Sequence, residues 1–215
     1  DGGDFFDPAR AVDQALKLAA DGAAVIDIGG ESTRPGAPQV PVADEIARVI
    51  PVIVAAVAEG ITVSVDTRRG PVMRAAIDAG AGIVNDVSAL SDDSEALSVL
   101  AASDASVVLM HMQGSPENMQ HSPSYRVASY DIFAWLSARV EVCVEEGISR
   151  ERIAVDPGIG FGKTLEHNLT LLSRVEELRV KERPVLMGLS RKSFIGALLN
   201  SKELKHRDAP TAALT

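Results

Sequence analysis

The chain has 215 residues, 46% of them hydrophobic, and a formal net charge of −9, which suits one sizeable core and a single domain over 1–215. That acidic balance argues against nucleic acid or an anionic membrane as the main partner, and no apolar run is long enough to span a bilayer. The single cysteine, Cys143, allows no internal disulfide and fits a reducing, cytoplasmic compartment.

The first predicted element is a helix from about Pro8 to Gly22, with Val12, Ala15, Leu16 and Ala19 on one face, Pro8 in the first turn and Gly22 at the stop. AVIDIGG follows as a short apolar strand. A second helix covers about Val42 to Gly60, with Ile46, Val49, Ile50, Ile53 and Val57 on one stripe and Pro51 as an expected kink. ITVSVD reads as a strand and Gly70 to Gly80 as a helix. IVND reads as a strand and Asp93 to Ser103 as a helix. SVVLMHM is the next strand, then a long polar loop to about Val127, then a helix from Ser129 to Gly147. RIAVD is a strand, Leu165 to Val180 a helix, PVLMGLS the last strand, and a further helix starts at Arg191.

Strands apolar on both faces that alternate with helices belong in a parallel sheet covered by helices. The candidates are an open doubly wound sheet and an eight-stranded (β/α) barrel. A barrel normally needs about 250 residues. The sequence starts at Asp1 and stops inside a helix-like run, so it is expected to lack roughly one βα unit at each end. Polar residues recur at nearly every strand's C-terminal end, whereas an open sheet gathers its site at one switch point. The expected fold is therefore an α/β TIM barrel, incomplete at both termini.

Those strand ends hold the candidate chemistry: Asp66, Asn85 and Asp86, His111, and Asp156. A carboxylate or amide at the mouth of a buried strand is costly to desolvate unless something pairs with it. Asp66, Asn85 and Asp156 offer the acceptors and donors that match the edge of a 2-amino-4-oxo pyrimidine ring, as in pterins and guanine. Each acid could instead cap the helix that follows it. In GGESTRPG, Thr33 and Arg34 suit an anion such as phosphate. In GLSRKS, Lys192 suits a ring carbonyl or oxyanion, and Arg191 a phosphate or carboxylate. DPGIGFGKT resembles a phosphate-binding P-loop, but Pro157 stands where that pattern wants glycine and removes an amide from the cradle. Phe161 fits better as an aromatic wall beside a flat ligand, and Met110 as a polarisable packing surface for one. His111 could bond to a ligand or satisfy a backbone carbonyl, and the second is expected. His121, His167 and His206 are expected in solvent. With Cys143 the histidines make no zinc spacing, and no GxSxG elbow is present.

Taken in order, IDIGGESTRPGA, VSVDT, IVNDVS, LMHMQG, VDPGIGFGK and MGLSRKSFIG resemble the dihydropteroate synthase family of the folate pathway along essentially the whole chain. That resemblance implies a barrel enzyme, usually a homodimer. It would condense (7,8-dihydropterin-6-yl)methyl diphosphate with 4-aminobenzoate, with Mg²⁺ as cofactor. Asp66 and Lys192 would be catalytic, and Asp66, Asn85, Met110, Asp156, Gly188 and Lys192 would hold the pterin. Thr33, Arg34 and Asp1 would face the diphosphate. Arg34, Pro35, Phe161, Lys192 and Ser193 would line the aminobenzoate side, where sulfonamides compete. No metal ligand is assigned within the chain; the family's metal-binding Asn is expected upstream of Asp1. A pterin-binding methyltransferase of the same barrel would share the Asp/Asn pocket but need no diphosphate site, and a non-catalytic paralogue would only bind.

Overall fold

The structure, a computed structural model, describes residues 5–34, 36–178, 183–201 and 203–214. Helix α1 spans Pro8–Ala20; the Asp7 side chain caps it by accepting from the Arg10 amide at 3.1 Å, and Gly22 takes φ 104° just past its end. Strand β1 is Ile26–Gly29. Helix α2, Val42–Ala58, runs on through Pro51, and β2 is Val63–Asp66. Then come α3 (Gly70–Asp78), β3 (Ile83–Asp86), α4 (Ala96–Ala101) and β4 (Ser106–Met110). The second half holds α5 (Ala128–Glu145), β5 (Ile153–Asp156), α6 (Leu165–Ser173), α7 (Ser193–Leu198) and α8 (Asp208–Ala212).

Two expectations need correction. The predicted last strand, PVLMGLS, is reduced to one parallel bridge between Val185 and Val155. It is held by the Val155 amide on the Pro184 carbonyl (3.0 Å) and the Leu186 amide on the Val155 carbonyl (2.8 Å). The helix expected to reach Val180 stops at Ser173 and passes into a short 3₁₀ turn, Val175–Leu178; Val180 lies outside the described residues.

The strands are all parallel and lie in the order β1-β2-β3-β4-β5, each beside its neighbour in sequence. A doubly wound sheet reverses its strand order at a switch point, and this sheet has none. Its order is that of an arc of a barrel wall.

Register then decides which side chains share a face, because alternate residues of a strand point to opposite sides. Gly29 pairs with Asp66, Asp66 with Asn85, Asn85 with Val108, and Met110 with Asp156. One face therefore carries Asp27, Gly29, Ser64, Asp66, Asn85, Val108, Met110 and Asp156. The other carries Val63, Val65, Val84, Val107, Leu109, Ile153 and Val155, all at most 1% exposed. They pack in one apolar cluster with Ile53, Met73, Leu100 and Leu136 from the helices. The helices cover the apolar face, and the polar face is the inside of the arc.

Candidate active site

Asp66 ends β2 with its Oδ1 atom wholly buried and without a hydrogen-bond partner among the described residues. Burial pushes its carboxyl well above the ordinary range, and the neighbouring Asp27, Asp86 and Glu45 push the same way. Beside it Asn85 donates through Nδ2 to Asp27 Oδ2 at 3.2 Å, which leaves its amide oxygen to the pocket. Asp156 is buried; one oxygen accepts from the Gly158 amide at 2.7 Å. Burial raises its carboxyl to about 6, against the pull of that amide, Lys192 and Lys163.

Lys192 stands at the N-cap of α7 and reaches back over the Phe161 ring, with Nζ 4.2 Å from its centroid. Gly188 lies beside it: a Cβ there would stand 3.9 Å from both Lys192 Nζ and Asp156 Oδ2, in ordinary van der Waals contact with the two groups. Burial lowers the Lys192 ammonium, and the Asp156 and Asp66 carboxylates partly restore it. The structure thus sets Asp66 beside Asn85, Met110 beside Asp156, and Gly188 and Phe161 beside Lys192.

The β1–α2 loop supplies Thr33, half-buried, and Arg34, exposed. With Gly29, Asp27 and Asp66 they line a cleft of about 730 Å³. Ser193 is exposed at the first residue of α7. Asp1 and Pro35 lie outside the described residues. Arg191 does not join its neighbour Lys192: at φ 52° it turns out to pair with Asp208, so it adds nothing to an anion site. Asp86 sits on the opposite face of β3. Its carboxylate accepts from Ser88 N (2.7 Å), Ser88 Oγ (2.8 Å) and Leu90 N (2.8 Å), which makes it the anchor of a turn and not a ligand group.

DPGIGFGKT does not form a phosphate cradle. The Gly158 amide goes to Asp156, the Gly160 amide to Asn168 Oδ1 at 2.8 Å, and the Phe161 amide to the Gly158 carbonyl at 3.0 Å. Lys163 turns inward, 4% exposed, and its ammonium meets His111 Nδ1 (3.2 Å), the His111 carbonyl (3.2 Å) and the Phe161 carbonyl (2.8 Å). The His111 ring meets this lysine, and a backbone hydrogen bond at His111 itself also acts on it, in keeping with the expected internal role. Burial and Lys163 push the imidazole down to about 3, so it stays neutral and accepts from the ammonium. His167 is not simply solvated either: with Thr164 it forms the capping box of α6.

Sequence reasoning missed Lys163 and a cluster of charges behind the Thr33–Arg34 loop, comprising Glu31, Glu45, Arg68 and Arg69. The available signal was position. Arg68 and Arg69 directly follow the strand-end Asp66, and Glu31 precedes Thr33 inside the same glycine-rich motif.

The family model described as pterin binding enzyme matches residues 1–215. The dihydropteroate synthase of Synechocystis sp. is 43% identical over 214 residues, covering 99% of this chain and 74% of that protein. Among solved structures, the Yersinia pestis dihydropteroate synthase in a sulfonamide drug complex superposes with a TM-score of 0.95 at 42% identity, over 100% of this chain and 78% of that one. The Xanthomonas albilineans dihydropteroate synthase with 4-aminobenzoic acid gives a TM-score of 0.91 at 43% identity, over 100% and 76%. The five-stranded arc is accordingly part of a TIM barrel. On motif order, sheet topology, site geometry and these matches together, the chain belongs to the pterin-binding enzymes, in the dihydropteroate synthase family.

Proposed function

We propose that the protein condenses (7,8-dihydropterin-6-yl)methyl diphosphate with 4-aminobenzoate to give 7,8-dihydropteroate and diphosphate, and that the whole chain is one pterin-binding barrel domain. The observation that carries this reading is the unpartnered, buried Oδ1 of Asp66 on the same sheet face as Asn85 and Asp156. A buried carboxylate oxygen with nothing to accept from is a group awaiting a donor. The amino group and ring N–H groups of a pterin supply such donors.

In this reading the pterin lies against Met110, its edge held by Asp66, Asn85 and Asp156, with Lys192 at its ring carbonyl and Gly188 leaving it room. The C–O bond of the CH₂–O–diphosphate unit breaks, and its electron pair departs with the diphosphate. The positive charge left on the CH₂ spreads into the dihydropterin ring, where the fixed Asp66 carboxylate stabilises it. The neutral amine of 4-aminobenzoate then attacks that carbon, a C–N bond forms, and the nitrogen releases its proton. Thr33 and Arg34 face the diphosphate. Arg34, Phe161, Lys192 and Ser193 line the aminobenzoate side, where a sulfonamide would compete.

Magnesium, a homodimer and a cytoplasmic setting belong to the same proposal. Magnesium would neutralise the departing diphosphate. Among the described residues no three His, Cys, Asp or Glu side chains gather into a site for it, so no step is derived through the metal. No described helix is long and apolar enough to cross a membrane, and Cys143 is a free, buried thiol.

The test is release of diphosphate from the dihydropterin substrate by the full-length protein, with and without 4-aminobenzoate. Release is expected to require the amine and to match dihydropteroate formed. Release that ignores the amine, or none, rejects the reading. Asp66→Asn should keep most of the affinity for the pterin and lose more than about tenfold in kcat, or about 1.4 kcal/mol of transition-state stabilisation. An unchanged kcat removes Asp66 from that role.

A further inference from the structure

The loop from Glu31 to Val40 leaves β1, carries Thr33 and Arg34 at its tip, and enters α2. Its two ends are tied together by one carboxylate: Glu31 Oε2 accepts from the Val40 amide at 2.7 Å. Two guanidinium groups from the β2–α3 turn grip the same carboxylate, Arg68 on Oε1 at 2.9 Å and Arg69 on Oε2 at 2.6 Å. Arg69 also donates to the Val40 carbonyl, and to Glu45 Oε2 at 3.0 Å in the first turn of α2. The other Glu45 oxygen accepts from Thr67 Oγ1 at 2.6 Å, and Arg68 reaches on to Asp92 at 2.6 Å. Thr67, Arg68 and Arg69 directly follow Asp66, so the base of the loop is bolted to the strand end that carries the catalytic carboxylate.

These groups are largely out of water: the Glu31, Arg68, Arg69 and Glu45 side chains are 9%, 13%, 17% and 2% exposed. Charge-assisted pairs in such surroundings fix geometry well, and removing one partner leaves the others uncompensated. Burial alone would raise the Glu31 carboxyl, yet the Val40 amide, Arg68 and Arg69 together hold it below its ordinary value. Arg34 itself makes no ion pair among the described residues; it hangs free on a loop whose base is clamped.

We propose that Glu31, with Arg68 and Arg69, is a positioning latch that sets the Thr33–Arg34 loop for the amine substrate, while the pterin is held independently of it. The proposal rests on the synthase reading above for the identity of that substrate. Asn85, Asp156 and Lys192 share no hydrogen bond or ion pair with the latch in the structure, and Asp66 feels it only through the charges of Glu45 and Arg68, which push its carboxyl in opposite directions. Opening it therefore separates the two substrates.

Glu31→Gln keeps the shape of the side chain and removes the charge. In the full-length protein it should raise the KM for 4-aminobenzoate by about tenfold or more, the effect of losing roughly 1.4 kcal/mol. The Kd of a bare pterin without diphosphate should stay within about twofold of the parent. Amide hydrogen exchange should speed up at Val40. Arg68→Gln should reproduce the pattern from the other side, and Glu31→Asp should restore part of it. A Glu31→Gln protein with an unchanged KM for 4-aminobenzoate overturns the latch. So does one that loses affinity for both substrates in step with a lower melting temperature, which is the mark of general destabilisation. If the parent forms no dihydropteroate, the synthase reading fails by itself; the latch is then judged by exchange alone, and unchanged exchange at Val40 in Glu31→Gln overturns it.

Discussion

Asp66, Asp86 and Asp156 each end an apolar strand, and the pleat assigns them different work. Asp66 and Asp156 fall on the inner face and Asp86 on the helix-covered face, where three donors from its own turn occupy it. Strand-end position marked all three in the sequence but not the face each takes; that follows from the register, which buries Val63 and Val65 and so turns Asp66 inward. Lys163 was not legible. A lysine in a polar loop reads as solvated, and only the packing of the β5–α6 loop onto β4 shows it buried against His111. Its charge matters to Asp156, whose carboxyl burial raises to about 6 while the Gly158 amide, Lys192 and Lys163 hold it down. In the proposed reading the pterin edge needs Asp156 ionised, so kcat/KM should fall on acidification with a limb near pH 6. Lys163→Met removes one of the two cations, raises the Asp156 carboxyl, and should move that limb to higher pH. The groups facing Asp156 are Lys192, Lys163 and the Gly158 amide, so Lys192 remains to keep the variant measurable. A pH–rate profile that superposes on the parent's would show that Lys163 does not act on Asp156.

At the scale of elements, the turn between β5 and α6 is where the sequence dictates most with least. Gly158 takes φ +68°, and a Cβ there would lie 2.1 Å from the His111 carbonyl oxygen. That contact is with backbone, so β4 or β5 must shift to relieve it. Gly158→Ala should cost about 3 kcal/mol or more, lowering the melting temperature by roughly 6–12 °C for a chain of this size. Thr164→Ala, a few residues on, removes only the capping box and should cost about 1 kcal/mol, or roughly 2–4 °C. Calorimetry of the two variants side by side checks the ranking. Equal losses would mean that the loop relaxes around the new methyl group. The same region shows where element-level reading fell short. PVLMGLS has the composition of a strand, but pairing is a property of two chains, and here it pairs with β5 in a single bridge, Val185 to Val155, made by the Pro184 carbonyl and the Leu186 amide. The helix expected from about Leu165 to Val180 ends its α-helical hydrogen bonding at Ser173, and a 3₁₀ turn follows.

Across the whole molecule, the consecutive order of the parallel strands connects sequence, fold and site. Each βα unit adds one strand beside the last and delivers one loop to the same rim, so residues far apart in sequence, from Asp66 to Asp156 and Lys192, come within electrostatic reach of one another. The order also grades stability. β2, β3 and β4 have a ladder on both sides, and their buried residues Val65, Val84, Val107 and Leu109 are 0% exposed. Among the described residues, β1 pairs only with β2, and its Asp27 and Gly29, on the pocket side, are exposed. Local opening is cheapest where few ladder bonds and little apolar contact must be lost. Native-state hydrogen exchange of this chain should therefore find the amides of β3 and β4 opening only with global unfolding, and those of β1 exchanging at least about tenfold faster. A chain that protects β1 as strongly as β4 would mean that the arc unfolds as a single cooperative unit. The Asp66 strand would then be no better supported than the edge beside it.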